Sequence, residues 1–409
     1  MSVPIPVLAA NADFRYLFAA TAVSRLGTAI SYVAVPLVAI TSLDATPGQV
    51  GLLGALATVA FLLVGLPAGA WTDRLRRRRV LIVADLVRAV LFGSVPVAWA
   101  AGVLTITQLY AVVLLTGVGT VFFDVASQAY LPHLVGRENL VAANASLVSL
   151  DGVNTIAGRG VAGYLVAALA APAAVAVDAA SYLVSAVLIT RMRHREDVPA
   201  VARAGLWREV GEGVRFVAGH PVLRALALAG ALTNLALALV VTMMPVLVVT
   251  ELGLGASVLG LWLAGGGVGA LVGSLVARRL AARFGGGRVL LVAGITVAPL
   301  GFCVPLVTAA TVWWVAACWL AVVTKVGVDN VLTTSFRQRV TPDRLLGRMN
   351  ATFRFLLTGA LALGAGGAGL LGEVAGVRAA LWAGAVGLAL VWVPIACSPL
   401  RGLRELPTA

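Results

Sequence analysis

Charge is scarce in this chain: Asp, Glu, Lys and Arg make up only 11% of its 409 residues, where a soluble domain carries about a quarter. A water-facing surface cannot be built from so few charges, so a soluble globular fold is excluded. Histidine is rarer still. His133, His194 and His220 stand in or beside predicted loops without H-E-x-x-H spacing, which leaves no zinc-hydrolase arrangement. The three cysteines, Cys303, Cys318 and Cys397, lie within or at the ends of apolar stretches without C-x-x-C spacing, and read as small buried hydrophobes. No G-x-x-x-x-G-K-[ST] loop is present to drive an ATP pump. No catalytic residue, metal site or cofactor is therefore predicted, and the chain is not read as an enzyme.

What is abundant is apolar sequence. Hydrophobic residues make up 60% of the chain and the mean hydropathy is +1.00. Crossing about 30 Å of hydrocarbon takes about 20 helical residues, so 409 residues hold about twelve crossings with short loops. The predicted spans are Phe14–Ile40, Gly48–Trp71, Val80–Ala101, Thr105–Leu131, Leu140–Leu169 and Ala173–Arg191. After a polar interval come Val222–Thr250, Ser257–Arg283, Val289–Leu306, Thr311–Phe336, Leu346–Leu371 and Val377–Cys397. The first is too long and too late for a signal peptide, and no small-residue cleavage site follows it.

An even number of spans puts both termini on one side. The arginine clusters at 74–79, 137, 191–224, 278–288, 337–348 and 401–404 all fall on that side, and the opposite loops offer only Arg378. The positive-inside rule makes it cytoplasmic, in a multi-pass protein of the cell membrane. The net charge of +13 thus reads as orientation and contact with membrane lipid rather than nucleic-acid binding.

The chain divides into a six-span bundle over 1–193, a linker over 194–221 and a second six-span bundle over 222–409. Apolar residues at 206/207, 210, 214 and 217 predict an amphipathic helix in the linker, lying at the cytoplasmic interface. The two bundles read as repeats. Asn144-Ala145-Ser146 recurs as Asn350-Ala351-Thr352, and at the same offset Gly158, Gly160 and Gly163 meet Gly364, Gly366 and Gly369. Six helices plus six with weak internal symmetry is a secondary-transporter plan.

Between the second and third spans runs Gly65-Leu66-Pro67-Ala68-Gly69-Ala70-Trp71-Thr72-Asp73-Arg74-Leu75-Arg76-Arg77-Arg78-Arg79. It resembles the signature loop of the major facilitator superfamily, G-x-x-x-D-R-x-G-R-R, with Arg76 in the place of a glycine. Val83-Ala84-Asp85-Leu86-Val87-Arg88-Ala89, Phe122-Phe123-Asp124, Val177-Asp178-Ala179-Ala180-Ser181-Tyr182 and Gly347-Arg348-Met349-Asn350-Ala351 resemble the branch that holds macrolide-efflux proteins and the enterobactin exporter. The resemblance covers essentially the whole chain. It implies an all-α membrane fold of two pseudo-symmetric six-helix bundles working by alternating access. It also implies that Gly69, Asp73, Arg74 and Arg77 form a cytoplasmic gate latch.

Gly65 and Gly69, four apart, are expected to let two helix backbones approach closely, while Arg78 and Arg79 read as simple anchors. The matching stretch of the second half, Gly269-x-x-x-Gly273 followed by Arg278-Arg279, keeps the glycines and loses the acid. The latch is expected to be asymmetric.

Charges inside hydrocarbon need a partner or a task. Asp85 and Arg88, three apart, are expected to neutralise each other and brace the gate, and Asp178 beside Ser181 to serve in packing. Polar stripes mark the first, fourth and tenth spans, which line the central cavity in the superfamily: Thr21, Arg25, Thr28 and Tyr32; Thr116, Thr120, Asp124 and Gln128; Lys325, Asp329 and Thr333. Each stripe alone has a bland explanation in interhelical hydrogen bonding, but three together favour a wet cavity. The seventh span adds Asn234, with Met243 and Met244 as either a pliant cavity wall or a lipid-facing pair.

Arg25, Thr28, Tyr32, Thr120, Gln128, Asn234, Lys325, Asp329 and Thr333 are the expected substrate contacts. Lys325 and Asp329 can pair with each other, which leaves Asp124 without an evident cation on its own helix. Asp124 is the first candidate for carrying a proton, and Asp151 the second. Arg159 stands where drug-antiporter relatives have proline, and Val113 where they often have arginine. Arg159 either balances Asp151 or attracts an anionic substrate. The expected function is a proton-coupled exporter of a small amphipathic organic molecule of drug, secondary-metabolite or siderophore type, acting as a monomer. The alternatives are an uptake symporter for an anionic small molecule and a degenerate transporter serving as a membrane sensor or scaffold.

Overall fold

The computed structural model describes residues 11–72, 75–136, 138–193 and 206–399. All regular structure among them is helical, and twelve helical spans are long and apolar enough to cross a bilayer. The first six are α1 (Ala12–Leu43), α2 (Pro47–Thr72), α3 (Arg77–Ala100), α4 (Ile106–Val135), α5 (Leu140–Leu169) and α6 (Ala171–Thr190). The linker helix α7 (Leu206–Gly219) leads into α8 (Pro221–Pro245), α9 (Ala256–Phe284), α10 (Gly286–Thr296), α11 (Val312–Arg339) and α12 (Asp343–Ala375). The chain ends on α13 (Val377–Ala389) and the short α14 (Trp392–Ala396).

Side chains set the helix starts. Asn11 accepts the Phe14 amide at 3.0 Å and Thr105 accepts the Gln108 amide at 3.2 Å, each relieving a first-turn donor that has no partner inside the helix. Prolines and glycines break three of the predicted spans. Past Pro245, which lacks an amide, the seventh span continues as a π-helix over Val246–Glu251. The ninth tightens to a 3₁₀ helix over Ala298–Leu306, a stretch holding Pro299, Gly301 and Pro305. The twelfth is interrupted between α13 and α14.

Outward faces are apolar. Val90 at 72% exposure and Trp314 at 78% would be misplaced in water and suit hydrocarbon.

The described residues fall into two compact units. Unit 1 draws on Met1–Ala45, Val59–Arg203 and Gly255–Ala264, and unit 2 on Thr46–Thr58, Ala204–Leu254 and Gly265–Ala409. Unit 1 has an apolar core of Phe14, Leu17, Leu81, Phe123, Tyr130 and Ile189 from α1, α3, α4 and α6. Unit 2 has the counterpart, with Leu223, Leu226, Leu290, Phe336, Met349 and Phe353 from α8, α10, α11 and α12. In unit 2 the linker helix does more than lie at an interface: Gly213 sits against Thr352 and the Arg348 carbonyl of α12, and Arg348 pairs with Glu212. Met243 and Met244 are both buried, which removes the lipid-facing option for the pair.

The internal repeat is carried by glycine contacts. A methyl group built on Gly158 of α5 would meet Ala29 Cβ at 2.5 Å and the Leu26 carbonyl of α1 at 3.2 Å. One built on Gly364 of α12 would meet Ala238 Cβ at 2.7 Å and the Leu235 carbonyl of α8 at 2.5 Å. Gly163 of α5 likewise abuts Gly260 of α9, and Gly369 of α12 abuts Gly51 of α2. Equivalent positions make equivalent backbone crossings, which only glycine permits at this spacing.

Candidate functional site

Within unit 1 the stripes of α1 and α4 are joined by an ion pair. Arg25 Nη2 donates to Asp124 Oδ1 at 2.6 Å, and Arg25 Nε lies 3.6 Å from Asp151 Oδ1 of α5. Asp124 thus finds its cation on another helix, 99 residues away, where the sequence shows none on its own. One guanidinium serves two carboxylates from two helices, on side chains that stay partly exposed. Protonating either carboxyl would free a donor for the other.

Of the two roles expected for Arg159, the pairing with Asp151 is not seen. Its guanidinium carbon stands 4.5 Å from the centroid of the Tyr32 ring, and no carboxylate among the described residues pairs with it. The cation is held by a quadrupole rather than by Asp151. Gln128 is exposed, and the Thr120 hydroxyl donates to the Thr116 carbonyl at 3.0 Å.

Asp85 and Arg88 form the expected pair and are fully buried with it. The guanidinium of Arg88 lies between two rings, 4.6 Å from the Phe123 centroid and 4.3 Å from that of Tyr182. Gly119 leaves room for its stem: a methyl there would stand 2.9 Å from Arg88 Cγ.

In unit 2, Lys325 Nζ meets Asp329 Oδ2 at 2.6 Å, and both residues are buried on α11 with half-buried Thr333 one turn further on. Lys325 is the only lysine in the chain. The Asn234 amide donates to the Gly230 carbonyl at 2.9 Å and borders a cleft of about 430 Å³. Arg337, Asn350, Arg354 and Leu357 line the same cleft. From sequence Arg337 reads as orientation and Arg354 receives no role; the signal for more is the period of Asn350, Arg354 and Leu357 on one face of α12.

Of the latch residues, Asp73 and Arg74 lie outside the described residues. Arg77 is buried at the first turn of α3. A methyl on Gly69 would meet nothing within 4 Å among the described residues, and the nearest atoms to one on Gly65 belong to Phe61 of its own helix. The close approach expected there occurs instead in the second half, where Gly269 would meet the Leu320 carbonyl of α11 at 2.7 Å and Gly273 packs against Thr324 and Gly327. Arg78 is more than an anchor: it donates to the carbonyls of Ile189 at 3.2 Å and Thr190 at 2.5 Å, satisfying the last turn of α6.

Twelve apolar spans, an internal repeat and charges held inside the helices define a secondary transporter of the major facilitator type. The fold agrees with that of a bacterial homologue of the iron transporter ferroportin, at a TM-score of 0.73 and 17% identity over 94% of this chain and 98% of the other. The nucleoside transporter NupG gives 0.75 and 10% over 94% and 99%. The family model described as "Transmembrane secretion effector" matches residues 6–407, and the chain belongs to that family of the major facilitator superfamily. Among named relatives, the enterobactin exporter EntS of Salmonella choleraesuis is 25% identical over 98% of this chain and 96% of its own. The multidrug efflux pump Tap of Mycolicibacterium fortuitum is 33% identical, over 42% of this chain and 44% of Tap. The protein is a multi-pass membrane transporter and not an enzyme.

Proposed function

We propose that this chain is a proton-coupled exporter of small amphipathic organic molecules, working by alternating access in the cell membrane with both termini cytoplasmic. The observation that carries the reading is Arg25, shared between Asp124 at 2.6 Å and Asp151 at 3.6 Å on three different helices. A proton arriving on Asp124 weakens one of two competing contacts and shifts the balance among α1, α4 and α5. The same event changes the charge presented to a substrate beside Thr28, Tyr32, Thr120 and Gln128. Two relatives bear exporter or efflux names, which supports the outward direction.

Residues 1–193 and 222–409 are the moving bodies in this account, with 194–221 as their connection and Gly69, Asp73, Arg74 and Arg77 as the cytoplasmic latch. Asp85 and Arg88 stiffen α3 beside it. The cleft of unit 2 favours a substrate with an anionic or strongly polar end, since Arg337 and Arg354 stand beside the apolar Leu357. The buried pair Lys325–Asp329, with Thr333 beside it, is the other polar set of that unit.

Everted membrane vesicles loaded against a compound panel test this. A drug-like or siderophore-like compound should accumulate when the lumen is acid, and the accumulation should collapse on adding a protonophore. Accumulation only with the opposite gradient would instead establish the uptake symporter. Binding of a compound without any movement would establish a sensor.

A further inference from the structure

The interior of unit 1 holds one more buried acid, Asp178, that the transport reading leaves unused. Asp178 on α6 is fully buried, and its Ser181 neighbour donates to its carbonyl at 2.8 Å and its Oδ1 at 3.2 Å. Gly27 of α1 is pressed against Asp178 and Ser181, so closely that a methyl group there would overlap both. Asp178 lies within electrostatic reach of Arg88 and of Asp85, which is equally buried.

The charges do not balance. Asp85 and Asp178 are two carboxyl groups, and Arg88 is the one cation among them, already paired with Asp85. Among the described residues the remaining groups facing the cluster are hydroxyls: Ser31 and Thr28 from α1, Thr120 from α4, and Ser185 and Tyr182 from α6. Among the described residues the Oδ2 atoms of both carboxyls are buried without a hydrogen-bond partner, and the hydroxyls of Ser31 and Ser185 lie beside Asp178 and Asp85. An ionised Asp178 would be a desolvated charge served by hydroxyls alone, since the guanidinium within reach is already paired with Asp85. A carboxylic acid needs an acceptor for its proton, and a serine hydroxyl supplies one.

We propose that Asp178 is a proton-binding site, holding one proton in the interior of unit 1 against the Asp85–Arg88 pair. The site is linked to the Arg25 cluster by two threonines. The Thr28 hydroxyl donates to the Ser24 carbonyl at 2.8 Å, so it accepts from the Tyr182 hydroxyl at 2.9 Å. On the other side, Arg88 Nη1 reaches Thr120 Oγ1 at 3.5 Å, one turn from Asp124. When the proton leaves Asp178, Arg88 has a second carboxylate to serve and its contact with Thr120 changes. The state of the buried acid is thereby passed to the face that carries Arg25 and Asp124. The inference is independent of the proposed exporter role, because it concerns a resident proton whatever is transported.

Infrared spectroscopy of the purified protein in detergent at neutral pH tests it directly, since a buried carboxylic acid has a carbonyl stretch well separated from amide and carboxylate bands. The wild type should show such a band. Asp178→Asn should abolish it, and Asp124→Asn should leave it in place. Ser181→Ala, a milder change, should shift its frequency by removing a hydrogen bond, and it serves if Asp178→Asn does not yield folded protein. A wild-type spectrum without the band, or a band indifferent to both Asp178→Asn and Ser181→Ala, overturns the assignment.

Discussion

Arg25 is the residue at which charge and geometry meet in the proposed coupling. With Asp124 at 2.6 Å and Asp151 at 3.6 Å it makes one strong contact and one that is incomplete, and a single proton is enough to reverse their order. Asp124→Asn mimics the protonated state permanently. Substrate exchange down its own gradient should persist in the reconstituted variant, while pH-driven accumulation falls to the level of protein-free vesicles. Undiminished accumulation would move the role to Asp151. Arg159 gives a second prediction. Its cation lies over Tyr32, an interaction of about 0.5–2 kcal/mol, rather than beside a carboxylate. A double-mutant cycle on thermal stability should therefore show coupling of Arg159→Ala with Tyr32→Ala, and additivity of Arg159→Ala with Asp151→Asn. Coupling to Asp151 instead would restore the ion pair expected from charge count alone.

At the scale of the helix, contacts of glycine decide which crossings are tight. Gly269→Ala and Gly163→Ala place a methyl 2.6–2.7 Å from a carbonyl oxygen of α11 or α9, whereas Gly69→Ala meets open space among the described residues. The first two should lower the midpoint of thermal unfolding in detergent, each by the equivalent of about 1–3 kcal/mol, and Gly69→Ala should leave it unchanged. Equal melting of all three would mean that these crossings relax freely. The glycine repeat was legible in the sequence because Gly158 and Gly163 recur at the same offset as Gly364 and Gly369, and equal spacing on a helix means equal faces. The role of Gly65 and Gly69 was not legible, because a small-residue pair says that close approach is possible and not that a partner is there.

Helix ends and breaks divide in the same way. Twelve apolar lengths announce twelve crossings, but the turn to a π-helix after Pro245 and to a 3₁₀ helix at Ala298 depends on how neighbouring helices satisfy the freed backbone groups. The polar stripe of α4 was visible from its period. The cation that pairs with Asp124 was not, since it comes from α1 and its approach is set by packing. Arg78 illustrates the same limit: a run of arginines reads as an anchor, and only the end of α6 shows that one of them is a helix cap.

For the whole molecule, the central claim is that a proton moving inward drives an organic molecule outward. Lys325, as the only lysine, offers one check on the accompanying motion. Apart from the terminal amine it is the sole target for an amine-reactive reagent, and its labelling rate should differ between acid and neutral pH if unit 2 opens and closes around it. The most direct measurement records both fluxes at once. Purified protein is reconstituted into vesicles holding a pH-sensitive dye and a compound identified in the panel, and substrate movement is started with no pH gradient imposed. The account predicts that substrate leaving one side brings protons in the opposite direction, that an imposed gradient of the right sign speeds transport, and that Asp124→Asn moves substrate without moving protons. Substrate flux in the wild type with no proton flux, or with protons travelling in the same direction, would contradict it.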